Sequence, residues 1–418
     1  MAAQPSAPTE PQFTGFKYFK KLRPLFARLH DAGCARDKAG NRALHFDEYC
    51  SLLLLALFNP ILASLRAVPQ ASELAKVQDK LGCRRTSLGS LSESAAVFDP
   101  ELLREIIGDL AGQLTPLARD PRLKDLRHVV TLVDGTLLKA LPRIAEAMWL
   151  TTRTGAVHHA WRLHTQFELD KHVPLRMDLT DGKNSGPSDE KAVLRRHLQP
   201  GRCYVLDRWY AQFTLFNDIR QAGSSYVCRL RDNSAFAVVE ERPLTPEARE
   251  ANVVRDVVVR LGLSSKGEKR PDHPIRLVIV RARPHAKRSH RKGNTGAGPS
   301  DGLLRIATDL LDVPAEVIAL IYLYRYTIEL FFRFFKHVLG CRHLLSDRRR
   351  GIEIQTYCAI IACMLISLYT GRKPTLRTYE MICYFLMGWA SEAELAAHLE
   401  KLREHDRRQA ERRNQPAH

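Results

Sequence analysis

The strongest constraint on the fold lies between residues 128 and 231, where strand-like and helix-like runs alternate and two of the strands stop on an aspartate. HVVTLVD (128–134) is a short apolar, β-branched run ending on Asp134. Runs of this kind read as strands buried on both faces. WRLHTQFEL (161–169) and HVPLRMDLT (172–180) alternate, with only Asp170 and Lys171 between them, which predicts a hairpin. DGKNSGPS (181–188) is a loop and DEKAVLRRHL (189–198) a helix. RCYVLDR (202–208) is a second buried strand, ending on Asp207. WYAQFTLFNDIRQAG (209–223) is a helix with a glycine stop, and SYVCRLR (225–231) a final strand. This order predicts a mixed α/β sheet whose first and fourth strands each present an aspartate at the carboxyl end. Taken singly, either aspartate also suits a turn or a helix cap.

The rest of the chain divides around that segment. Residues 1–15 read as a disordered tail and 16–120 as a helical N-terminal region, a candidate for DNA binding without a distinct recognition helix. Residues 121–231 form the first part of the sheet. Within 232–302, NVVRDVVVRLGL (252–263) and PIRLVIVRARP (274–284) predict a small inserted β sheet. HAKRSHRKGNTGAGPSDG (285–302) is an exposed loop, either a solvated connector or a contact to the DNA backbone. Residues 303–405 return to helix, with runs at 303–338, 354–369, 375–388 and 391–405, and 406–418 is a charged, solvated tail.

Charge narrows the partners. Lys plus Arg number 64 against 46 Asp plus Glu, a formal net charge of +18, so the chain is drawn to polyanions, of which nucleic acid is the commonest large one. Nine cysteines form no C-x-x-C pair and several sit in apolar runs, which predicts buried reduced thiols in an intracellular protein. The N-terminus lacks a secretory pattern. The apolar run 49–65 is broken by Asn59 and Pro60, and 357–369 is short for a span, so no membrane association is expected. His158, His159, His164 and His172 lack the H-E-x-x-H spacing of a zinc site, and Gly182-Lys183 lacks the rest of a phosphate loop.

The chemistry concentrates in IYLYRYTIELFFRFFKHVL (321–339). Tyr322, Arg325, Glu329 and Lys336 stand out from an apolar and aromatic background. On one continuous helix they fall within about a 60° arc, with Arg333 close by. A buried stripe with one acid among bases needs a partner or a ligand. An internal salt bridge from Glu329 to Arg325 or Arg333 would satisfy it. So would a site in which Asp134, Asp207 and Glu329 converge, because three carboxylates make the hard oxygen environment that Mg²⁺ takes. Two such ions support phosphoryl transfer, with Arg325 and Lys336 on phosphate oxygens and Tyr322 hydrogen-bonding one.

Tyr322-x2-Arg325-x3-Glu329-x6-Lys336 resembles the Y-R-E-K signature of the DDE transposases typified by insertion sequence four. VVTLVDGTLL resembles the first catalytic block of that family and YVLDRWYA the second, over a region of roughly residues 40–390. The resemblance implies a ribonuclease-H-like core with flanking helices and an inserted β-rich domain between the second acid and the glutamate. The 122 residues from Asp207 to Glu329 leave room for it. It implies a bacterial, cytoplasmic, DNA-associated enzyme that cleaves insertion-sequence ends and transfers them into target DNA. Asp134, Asp207 and Glu329 would be catalytic and would hold two Mg²⁺ ions, for which Mn²⁺ can substitute. Tyr322, Arg325, Arg333, Lys336 and Trp209 would contact DNA. The partners implied are double-stranded DNA, as terminal inverted repeats and target, and a second copy when two ends are paired. Trp209 departs from the family's second block, which often has glycine there, and puts the local geometry in question. A nuclease of the same fold, or a DNA-binding protein with its chemistry unused, would share these residues.

Overall fold

The computed structural model describes residues 24–30, 32, 43–62, 64–117, 120–139, 148–151, 157–262, 270–282, 301–341 and 343–414. The expected tail at 1–15, residues 285–300 of the basic loop and the side chains of His158 and His159 lie outside them. The chain divides into two compact units. One holds residues 1–117, 140–146 and 332–418, the other 118–139 and 147–331.

The first unit is helical. Its N-terminal helices are α1 (Phe46–Phe58), α2 (Ala67–Ser72), α3 (Ala75–Leu81), α4 (Leu88–Val97) and α5 (Leu102–Gln113). The N-cap Ser87 starts α4 by accepting from the Ser90 amide at 3.0 Å.

The second unit is built on one sheet. Its elements are β1 (Val129–Lys139), β2 (Met148–Thr151), β3 (Val157–Glu168), β4 (Val173–Asp181), α6 (Glu190–Arg195), β5 (Arg202–Leu206), α7 (Phe213–Gln221), β6 (Ser225–Arg229), β7 (Phe236–Glu241), α8 (Pro246–Glu250), β8 (Val253–Leu261), β9 (Ile275–Arg281), β10 (Leu303–Thr308), α9 (Ala315–Leu323) and α10 (Tyr326–Arg333). β4, β3 and β1 run antiparallel to their neighbours, and β5 and β6 follow parallel to β1. This is a ribonuclease-H-like arrangement, as the sequence implies. Val130, Thr131 and Leu132 of β1 are fully buried, as a strand covered on both faces must be. α7 closes one face by stacking Phe216 on Tyr226 of β6, ring centroids 4.2 Å apart.

Four differences from the sequence reading have physical causes. The strands at 253–261 and 275–281 extend the main sheet instead of forming a small one of their own. Residues 303–308, expected to be helical, are the strand that joins them, because β10 pairs with β6 on one side and β9 on the other. A short apolar run such as LLRIAT suits either structure, and its partners decide. The helix expected through 321–339 is interrupted at Tyr324 and Arg325, where the Arg325 amide bonds back only three residues to Tyr322. The single-face alignment computed for one continuous helix is therefore lost.

The fourth difference is in the helical unit, completed by α11 (Arg349–Thr370), α12 (Leu376–Leu386) and α13 (Glu392–Asn414). The helix expected over 391–405 carries on as α13 to Asn414, while residues 405–409 are exposed, as a solvated end requires. Ion pairs one helical turn apart, such as Arg408 with Glu404 at 2.8 Å, favour the helix. Arg372 also fastens Asp406 at 2.5 Å. α11 is long and apolar enough to cross a membrane, but 89% of its apolar window is buried in the protein, which is how a core helix behaves. Eight of the cysteines are among the described residues, and all are free and buried.

Candidate active site

The two aspartates meet because of strand register. β1 and β5 pair in parallel through Leu132 and Val205. The same register carried two residues further sets Asp134 level with Asp207. β5 ends at Leu206, whereas β1 continues to Lys139 against β3 alone, so both acids stand where the parallel pair opens. They line a cleft of about 860 Å³ together with Gly135, Arg162, Glu190 and Trp209.

Each acid is held by the backbone that follows it, within β1 for Asp134 and in a turn for Asp207. Asp134 Oδ1 accepts from the Gly135 amide at 2.8 Å, and Asp207 Oδ1 from the Trp209 amide at 2.8 Å. The Asp207 carbonyl accepts from the Tyr210 amide at 3.1 Å and closes a tight turn. Among the described residues, the non-glycine positions with positive φ are His172, Asn184 and Asn252, so Trp209 fits this turn without left-handed backbone. Its ring is 47% exposed at the mouth of the cleft, and Lys191 Nζ lies 4.7 Å from the ring centroid.

Arg325 joins the first acid to the third. Its guanidinium lies 3.6 Å from Asp134 Oδ2 and 2.5 Å from Glu329 Oε1. The internal salt bridge that the sequence left open is therefore present, and the same arginine also faces the cleft acids. Tyr322 is mostly buried, and burial pushes its hydroxyl up to about 12. Arg333 ends α10 and is exposed. Lys336 lies in the π-helical turn Phe334–Val338, where burial lowers its ammonium below the usual lysine range. Both lie past Phe331, where the sheet unit ends, so α10 begins in the sheet unit and its last two residues fall in the helical one.

The break before Arg325 has an anchor. Tyr324 Oη donates to Asp120 Oδ2 at 2.5 Å. Asp120 also accepts from the Arg122 amide at 2.9 Å and caps the 3₁₀ turn Pro121–Leu123 that leads into β1. Burial works to raise the Asp120 carboxyl, but hydrogen bonds from Arg122 and Tyr324 outweigh it and bring it down to about 2. Tyr324→Phe is expected to lose about 1 kcal/mol of stability, the net worth of one hydrogen bond to a partly exposed charge. It should slow any reaction that depends on Arg325 and Glu329 by more than that loss explains. Denaturant unfolding beside a single-turnover rate separates the two effects.

The cleft suits a divalent cation by its chemistry. Burial first, then Asp207 and Glu190, raise the Asp134 carboxyl to about 7, against the lowering effects of Arg325 and the Gly135 amide. Burial and Asp207 raise Glu190 as well. Arg325 beside Asp134 and Arg162 beside Glu190 offset this only in part, and oxygen ligands suit Mg²⁺. Among the described residues, no three of His, Cys, Asp and Glu stand at metal-binding spacing. Asp134 and Asp207 share the cleft, while Glu329 is held on Arg325.

Glu190, Arg162 and Tyr210 are the neighbours that sequence reasoning missed. Asp189-Glu190 reads as ordinary first-turn acid chemistry, and Asp189 does cap α6 through the Lys191 amide at 2.9 Å. Arg162, a cation between the buried Trp161 and Leu163 of β3, is the one available signal.

The family model described as "Transposase DDE domain" matches residues 125–365, 241 of the 418. A Sinorhizobium fredii protein named "Putative transposase y4zB" is 25% identical over 279 residues, 66% of this chain and 70% of its own. A piggyBac transposase, solved by cryo-EM as a synaptic complex with hairpin DNA, is 12% identical. That match covers 95% of this chain and 84% of the other, with a TM-score of 0.45.

Proposed function

The chain belongs to the transposase DDE-domain family, and on that footing we propose that it cuts DNA at the ends of an insertion sequence and joins those ends to target DNA. Within the family it is placed in the Y-R-E-K branch, on Tyr322, Arg325, Glu329 and Lys336. The observation that carries the reading is the pairing of Asp134 with Asp207 in one cleft, with Arg325 reaching from Asp134 to Glu329.

Asp134, Asp207 and Glu329 would hold the divalent ions that the family generally uses, two Mg²⁺ with Mn²⁺ able to substitute. When bound, such ions raise the nucleophilicity of water or a 3′-hydroxyl and offset charge on the leaving oxygen. The chain's own residues do the rest. Arg325 grips a phosphate oxygen beside the scissile bond, Lys336 binds the DNA backbone, and Tyr322 hydrogen-bonds a phosphate oxygen. Arg333 adds a backbone contact, and the exposed Trp209 ring offers a base a stacking surface next to Asp207. In the cut, a water oxygen bonds to phosphorus and the bond to the 3′ oxygen breaks, freeing a 3′-hydroxyl. In the joining step that hydroxyl attacks a target phosphorus and displaces the target's own 3′ oxygen. Two ends joined together call for at least two copies on DNA.

The test is purified protein with labelled fragments carrying candidate terminal repeats, Mg²⁺ and a target plasmid. The expected result is a cut at the element boundary followed by joined products. Glu329→Ala should retain end binding and lose both products. Cutting without joined products makes the protein a nuclease of this fold. Binding without cutting, even with Mn²⁺ and paired ends, makes it a DNA-binding protein.

A further inference from the structure

Glu190 links the segments that carry Asp134, inside β1, and Asp207, just after β5. It opens α6 and is 6% exposed, far less than a first-turn acid needs to be. Its carboxylate pairs with the Arg162 guanidinium of β3, which is itself mostly buried. Its second neighbour is Tyr210, fully buried in the turn after Asp207, which hydrogen-bonds it. Its third is the backbone after Asp134. A Cβ placed on Gly135 would lie 2.8 Å from Glu190 Oε1 and 3.1 Å from its Cδ. Any side chain there would push the glutamate out of its place. One carboxylate thus touches the residue following the first acid and the turn following the second, although neither is near it in sequence.

A neutral amide could hydrogen-bond Tyr210 without adding negative charge to an acidic cleft. A carboxylate is needed to hold Arg162, since a buried guanidinium requires a charged partner. We propose that Glu190 is a positioning residue: locked by Arg162 and Tyr210, it sets the separation of Asp134 and Asp207. This rests on the reading of those acids as the metal-holding pair. Residues that orient metal ligands typically change metal affinity by about 10- to 100-fold when altered.

The experiment uses the full chain and two readouts, the Mg²⁺-dependent rise in melting temperature and the cutting of end DNA, with end binding in EDTA as control. Gly135→Ala should raise the Mg²⁺ concentration for half-effect about tenfold or more in both readouts, with end binding unchanged. Glu190→Asp in the Gly135→Ala background withdraws the carboxylate by one methylene and should recover most of that loss, though Glu190→Asp alone is mildly harmful. Glu190→Gln, which adds no bulk, should shift the Mg²⁺ dependence in the same direction as Gly135→Ala. A Gly135→Ala or Glu190→Gln protein with wild-type Mg²⁺ dependence overturns the inference alone, provided wild type itself responds. A Gly135→Ala defect that Glu190→Asp leaves untouched does the same. A wild-type protein that neither takes Mg²⁺ nor cuts overturns the metal-pair reading and the inference with it.

Discussion

Asp134→Asn is expected to cut DNA at least about a thousandfold more slowly than wild type and yet to be the more stable protein when metal is absent. The loss follows from removing one charged oxygen ligand from a site built for phosphoryl transfer, where metal-held charge accounts for several kcal/mol of the barrier. The gain follows from Asp134's own environment. Burial, with Asp207 and Glu190 beside it, raises its carboxyl from 3.8 to about 7. A carboxyl raised in this way contributes stability that is fully present below its unfolded value and is lost as the pH climbs through about 7. Asparagine never ionises, so the variant escapes that loss. Melting curves in EDTA should coincide near pH 4 and separate towards pH 8, with the variant higher. Adding Mg²⁺ at pH 8 should raise wild type and leave the variant where it was, because the ion binds the deprotonated carboxylate. A variant less stable than wild type at pH 8 without metal would mean that Asp134 is a structural acid satisfied by Arg325.

The legible part of this site was its local part. Asp134 and Asp207 each follow an apolar strand run and are read from consecutive residues, although β1 continues past Asp134 to Lys139 where the sequence predicts its end. Arg325 and Glu329 are four apart, so any helical turn brings them together. What stayed hidden depends on contacts between distant segments. Glu190 lies 55 residues from Gly135 in sequence, and nothing in DEKAVL separates a buried acid from a helix-start acid. No glycine or proline marks the break at Tyr324. A hydrogen bond to Asp120, 204 residues away, accompanies it instead. β10 was misread for the same reason, since LLRIAT is apolar enough for a helix and becomes a strand between β6 and β9.

Asp256→Ala should destabilise the sheet unit by about 3–5 kcal/mol, the range for stripping one partner from a buried ion pair. Asp256 and Arg276 are 4% and 2% exposed and meet through two hydrogen bonds, at 2.8 and 2.7 Å, on neighbouring strands β8 and β9. Without Asp256 the guanidinium keeps only neutral acceptors in a water-excluded core. Those acceptors decide what a compensating change can recover. Arg276 also donates to the carbonyls of Leu310 and Leu311, each at 3.1 Å, and to that of Val313. An isolated buried pair replaced by Leu and Met would be close to neutral. Here the Asp256→Leu/Arg276→Met protein takes this donor from the Leu310 and Val313 carbonyls, at about 1–3 kcal/mol for each buried orphan, whereas the Leu311 carbonyl keeps Arg242 at 2.5 Å. It should therefore remain destabilised, though it holds no stranded charge. The carbonyls sit between β10 and α9, the helix that leads to the turn before Glu329. The pair thus ties the far half of the sheet to the segment bearing the third acid. Chemical unfolding of both variants checks the order. A double variant as stable as wild type would show that the Leu310 and Val313 carbonyls find other donors, and that the far strands are fastened by their ladder alone.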